Sequence, residues 1–269
     1  MADTTKTEAV MDGQVLPDFS PGTFTPDARA SKISTMISAQ GAMEAKLMLR
    51  HGEQQLLSII IPLGLLIAFR VFPFADDLGG MDAAIPMVFA VAATSAGFTG
   101  QAIAVAFDRR YGALKRSGAS GVPAWAIIVG KIIAVFAMVC LQVVVLGTAS
   151  FLLGFRAPLT GVLLAFVVLL LGVAAFTALG LTLGGSLSAE IVLALSNLIW
   201  FVLLALVGWT LYAQGLVDVG WLNLIPSVAL ASGLAEALTG SFPIIPIVSL
   251  LVVAIVASFA ASKWFRFEG

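Results

Sequence analysis

Polar and apolar positions along this chain fall into long blocks. About the first fifty residues are mixed and polar; from residue 55 onward, apolar runs alternate with short polar breaks. A helix needs roughly 20 mostly apolar residues to cross the hydrocarbon core of a bilayer. Runs near that length predict six membrane-spanning helices, at residues 55–72, 83–107, 124–154, 158–184, 191–213 and 244–262. The expected fold class is an all-α polytopic membrane protein. An amphipathic interfacial helix precedes the first span, a cytoplasmic helical segment joins spans 2 and 3, and a short re-entrant or outer helix precedes span 6.

The interruptions within these blocks carry most of the information. Pro62 lies inside the first run, where it removes a backbone donor and kinks the helix unless a neighbour compensates. Arg70 sits at the end of that run and can snorkel to headgroups. Small residues crowd the second run (Ala92, Ala93, Ser95, Ala96, Gly97, Gly100), which reads as close helix packing or as the lining of a path. Lys131 is close to the start of the third run and is expected to snorkel, whereas Gln142 falls near its middle. The turn GGSLSAE, residues 184–190, leads into the fifth run and puts Glu190 in a first helical turn, where a carboxylate suits the helix dipole. Asn197, within that run, is expected to hydrogen-bond to another helix. Between Pro226 and Leu238 the chain can form a helix too short to span, stopped by Gly240 and Pro243. Glu236 on that helix must face protein or water.

Before the first span, residues 31–53 place Ile33, Met36, Ile37, Met43, Leu47 and Met48 on one face, with Lys32, Lys46 and Arg50 opposite. Gln40 and Glu44 fall on the apolar face and weaken the pattern. Such a segment is either an amphipathic helix at the membrane surface or a solvated lead-in. Residues 1–30 hold Pro17, Pro21 and Pro26 with few large apolar groups, and are expected to be a disordered cytoplasmic tail. Residues 31–269 then form the membrane domain. No basic segment with an early apolar core opens the chain, so no cleaved signal peptide is expected.

Composition agrees with a membrane protein. Of 269 residues, 60% are hydrophobic and 11% charged, against about 25% charged in soluble domains. Mean hydropathy is +1.06. A net charge of −1 gives no electrostatic reason to expect a nucleic-acid partner. Cys140 is the single cysteine, so no internal disulfide forms, and its apolar run predicts a buried small residue. The cations fix the orientation. With both termini inside, only Arg70 and Arg156 of the 14 Lys and Arg fall outside, as the retention of Lys and Arg on the cytoplasmic side requires.

Familiar catalytic signatures are missing. No GxxxxGK[ST], HExxH or GxSxG occurs. His51 is the single histidine, which makes a His/Cys metal site improbable. Carboxylates are nearly absent from the predicted spans, which argues against a proton- or sodium-coupled carrier.

What remains is one dense block of charge between spans 2 and 3: Asp108, Arg109, Arg110, Tyr111, Gly112, Ala113, Leu114, Lys115 and Arg116, followed by Gly118, Pro123 and the pair Gly130-Lys131. This block resembles the signature of type-2 ABC exporter permeases. There an acidic-Arg-x-x-Gly-x-Leu run precedes a small-residue turn and a downstream Gly-Lys; Asp108 stands where Glu is usual. The likeness extends to the plan of residues 31–269. It implies that residues 108–121 form a coupling helix docked on a separate ATP-binding subunit. Asp108, Arg109, Arg110, Tyr111, Gly112, Leu114, Lys115 and Arg116 are then the coupling residues. Arg109 and Arg110 would grip carboxylates of the partner, and Tyr111 and Leu114 would fill an apolar notch between them. Glu190 and Lys131 are further inner-surface contact candidates, and Glu236 is an outer-gate candidate. The resemblance also implies two ATP-binding subunits and a second permease chain, the same or related, in a bacterial inner (plasma) membrane. ATP and Mg would bind in the partner, with no cofactor in this chain.

The uncharged interior suits an amphiphilic or hydrophobic substrate. Two other classes fit the residues alone: a stand-alone channel or carrier, and a scaffold that recruits a soluble protein through the basic loop. The same loop can also serve only to set topology.

Overall fold

A computed structural model describes residues 10–11, 14–15, 31–72, 77–119 and 122–264. The chain divides into two units, Met1–Lys32 and Ile33–Gly269. In the first, Val10–Met11 and Gln14–Val15 pair as a short antiparallel ladder. The rest of the expected tail, residues 1–30, lies outside the described residues, as do Gly121 and Arg266.

Among the described residues of the second unit every element is helical. Helix α1 spans Ile33–Arg50, α2 Gly52–Gln55 and α3 Ile61–Val71. Helix α4 spans Gly80–Thr94, α5 Gly100–Arg110, α6 Ala113–Ala119 and α7 Ala124–Leu152. Helix α8 spans Leu159–Ser186, α9 Ala189–Gln214, α10 Pro226–Leu238 and α11 Ile244–Trp264. Among the described residues, five stretches are long and apolar enough to cross a membrane: Gly80–Arg110, which joins α4 to α5, and the bulk of α7, α8, α9 and α11. Where the first span is expected, Leu56–Val71 is an apolar helix shorter than these five.

Two π-turns explain how the first two apolar helices fit together. One, Leu56–Ile60, precedes α3; the other, Ser95–Thr99, joins α4 to α5. Pro62 has no N–H to offer the carbonyl four residues back, that of Ser58. The Gln142 side chain of α7 donates there, its Nε2 bonding Ser58 O at 3.3 Å and Ala92 O of α4 at 3.1 Å. Gln142 is 1% exposed, so both bonds are sheltered. The buried amide thus adds a bond to a carbonyl on each of two neighbouring segments, away from any water.

Helix α8 is the centre of the bundle, packing on α4, α5, α10 and α11. Its approach to α5 is close because Gly180 and Gly184 face the α5 backbone. A Cβ on Gly180 would stand 2.6 Å from Phe98 O, and one on Gly184 would strike Ala102 O. Gly97, in the second π-turn, meets Phe176 and Val173 of α8 in the same way. Gly97 therefore packs against α8, while Ala92 joins a second cluster with Leu66 of α3 and Leu146 of α7. Large apolar side chains point outward from α9 and α11, among them Phe201, Val202, Ile255 and Phe259, as lipid-facing helices require.

Two expectations need correction, and a third gains detail. In helix α1, Gln40 and Gly41 are the buried residues, while Ile33, Met43 and Leu47 are exposed. The face that weakened the amphipathic pattern is the one that packs on α7. Asn197 bonds within its own helix, Nδ2 donating to Leu193 O at 3.0 Å on an exposed side of α9. Cys140 is half-buried, lying on a flank of α7 that its neighbours only partly cover.

A candidate coupling elbow

Helix α5 ends at Arg110 because the backbone turns left-handed at Gly112, with φ +66°. Only glycine adopts that conformation without a steric cost. The Gly112 N–H returns to Arg109 O at 3.1 Å, and α6 then starts at Ala113. Arg116 reaches back across this break, its Nη1 donating to Tyr111 O at 2.7 Å. Pro123 precedes the first residue of α7, where its fixed φ suits a helix entry. The expected single helix over residues 108–121 is therefore an elbow. Residues 108–110 finish α5, and Ala113–Ala119 form a separate short helix, because Gly112 breaks the ladder between them.

The charged residues of this elbow point in different directions. Arg109 is 8% exposed, and its Nη1 donates to Gly184 O and Leu187 O, each at 3.0 Å. Those carbonyls belong to the open C-terminal end of α8, so the guanidinium caps that end and suits its dipole. Arg110 forms an ion pair with Glu190 in the first turn of α9 and lies 5.8 Å from the Tyr111 ring centre. Tyr111 stacks on Phe107 at 5.9 Å and is 63% exposed. Leu114 is buried within this chain. Arg110, Tyr111, Lys115 and Arg116 make the exposed face. Arg109 and Leu114 thus lie on the inner side of the elbow, where they tie it to the bundle.

Asp108 turns the other way, toward Lys131. Contrary to the expected snorkelling, Lys131 is 2% exposed. Its Nζ bonds Asp108 Oδ2 at 2.6 Å and Glu44 Oε2 of α1 at 3.0 Å. Gln40 completes the group, its Nε2 donating to Glu44 Oε1 at 3.0 Å. The physical reason is position. Lys131 projects into the α1–α7 seam, where two carboxylates solvate the ammonium better than a distant headgroup could. Glycine permits this seam: a Cβ on Gly130 would stand 2.5 Å from Gln40 Cγ, and one on Gly41 2.9 Å from Ile133 Cγ2. A three-charge group therefore joins α1, α5 and α7 directly beside the elbow.

The structure brings together Asp108 with Lys131 and Arg110 with Glu190. Glu44 and Gln40 are the residues that sequence reasoning missed. The signal was a lysine inside an apolar run, which demands a counter-ion, and a carboxylate that broke an apolar stripe. Glu236 has no contact with this group among the described residues. On α10 it meets Ser232 and the backbone N–H of Asp218. Burial pushes its carboxyl above the ordinary carboxylate range, against the hydrogen bond from the Asp218 backbone, and the nearby Asp218 charge adds to the rise.

The sequence model of ABC-2 type transporters matches residues 37–242, which include the elbow, the charge group and α10. The chain belongs to the ABC-2 type transporter family. No curated protein sequence matches it. An ABC-2 membrane domain is a transport permease rather than a catalyst, and it is a multi-pass membrane protein. Members of this family generally work with ATP-binding subunits.

Proposed function

We propose that this chain is the membrane-spanning subunit of an ATP-driven exporter, moving an amphiphilic or hydrophobic substrate out of the cytoplasm or inner leaflet. In this reading the chain crosses a bacterial inner membrane six times, counting the short apolar Leu56–Val71, with both termini in the cytoplasm, as the distribution of Lys and Arg favours. Residues 1–30 are a tail and residues 31–269 the transport domain. Two ATP-binding subunits dock below, each holding ATP and Mg, and a second permease chain, the same or related, completes the path. Closure of the ATP-binding subunits pushes the elbow and tilts the spans.

One observation carries this reading. Arg110, Tyr111, Lys115 and Arg116 form an exposed cationic and aromatic face on a base tied to α1, α7, α8 and α9. Loops that only set topology have no need of such anchoring. A soluble partner with carboxylates flanking an apolar notch would engage this face through charge-assisted bonds. The test reverses the exposed charges in Arg110→Glu, Lys115→Glu and Arg116→Glu together. The expected result is that an ATPase which co-purifies with the wild-type chain in mild detergent no longer does. Co-purification with ATP hydrolysis still stimulated by substrate would overturn the docking role. Flux from the purified chain alone in vesicles would overturn the ATP-driven reading.

A further inference from the structure

A cavity of about 390 Å³ opens between α4, α7, α8 and α10, at the end of α7 remote from the elbow. Phe89, Val143, Gly147, Phe166, Leu169 and Leu234 form much of its wall. Gly147 faces this space, where a Cβ built on it meets nothing within 4 Å. Arg156 stands at its rim, in the short connection between α7 and α8. Its guanidinium lies 3.9 Å from the Phe151 ring centre, and Nη1 donates to Phe151 O and Phe155 O, each at 2.7 Å. These contacts orient the group without neutralising it. Arg156 has no carboxylate partner among the described residues.

The cavity has the size of a small-ligand site. Its wall is apolar, and it carries a single held cation at the end of a membrane-spanning helix. That combination is complementary to a lipid whose headgroup bears net negative charge. A guanidinium fixed by carbonyls and a ring still has N–H groups to donate to phosphate oxygens. A zwitterionic lipid brings the same chain and phosphate but also a positive group toward Arg156, which it repels. We propose that this cavity binds one anionic phospholipid, its phosphate on Arg156 and one acyl chain lying over Gly147. The site leaves the elbow's exposed face untouched, so it goes beyond the transport reading and stands or falls separately from it.

The test uses the full-length chain in mild detergent with equal amounts of phosphatidylglycerol and phosphatidylcholine, read by native mass spectrometry. The expected spectrum shows one phosphatidylglycerol adduct retained severalfold over phosphatidylcholine. Arg156→Gln should erase that preference, Arg156→Lys should keep most of it, and Gly147→Leu, which fills the cavity, should reduce retention of both lipids. Equal retention of both by the wild type overturns the proposal, and so does unchanged retention by Gly147→Leu. Should a variant fail to fold, wild-type thermal stability against added phosphatidylglycerol decides the matter. A shift that saturates, and that phosphatidylcholine does not reproduce, supports the site; an unsaturable or headgroup-blind shift removes it.

Discussion

Lys131 shows how little room a charged side chain has in this protein. Replacing it with Met leaves Asp108 and Glu44 facing each other without their cation. Breaking a buried ion pair by removing one partner typically costs about 3–5 kcal/mol, and the partial exposure of Asp108 lowers this toward about 2 kcal/mol. Lys131→Met should therefore lower the unfolding temperature clearly in a detergent melt. The triple change Lys131→Met, Glu44→Gln and Asp108→Asn should recover most of the loss, because no unpaired charge remains. Glu236 behaves oppositely. Its carboxyl is held above the ordinary range, so the folded state binds the proton more tightly than the unfolded state does. Stability is then greatest below the ordinary carboxylate pKa and falls as pH rises from there through the raised value. Glu236→Gln should melt like the wild type at acidic pH and higher than it at neutral pH, in a pH series of thermal melts. The sequence could place Asp108 and Lys131 near the same membrane face. It could not pair them through Glu44, because periodicity on α1 alone does not say which face meets protein and which meets lipid.

Helix boundaries were the most legible part of the chain. The apolar runs at 158–184 and 244–262 became Leu159–Ser186 and Ile244–Trp264. Twenty-odd apolar residues have few alternatives in a bilayer. Illegible were the features made by two elements at once: the elbow's split at Gly112, the burial of Arg109 on the end of α8, and the paired π-turns. Gly184 offers a test of helix contact. Gly184→Leu would force α8 away from Ala102 on α5, so the variant should lose stability and yield far less folded protein by size-exclusion chromatography. Gly147→Leu, on a helix of similar composition, meets open space and should be tolerated, which separates a packing effect from a helix-propensity effect.

At the scale of the molecule, the elbow joins the exposed cationic face to most of the bundle through short bonded links. Arg109 reaches α8, Arg110 reaches α9, and Asp108 reaches Lys131 of α7 and, through that lysine, Glu44 of α1. A push on the elbow is thus shared among several helices at once. With the chain oriented as the cation distribution requires, a cysteine at Lys115 should react with a membrane-impermeant thiol reagent only after the cells are opened. One at Arg156 should react in intact cells. The reverse pattern would turn the protein over in the membrane and place the elbow out of reach of any ATPase. Gln142 adds a mechanical consequence. One amide on α7 bonds both the π-turn that precedes α3 and the last turn of α4, so drawing either away from α7 breaks a sheltered bond. The expected consequence is that these three segments travel as one plank when the bundle moves, a grip that Gln142→Leu would loosen.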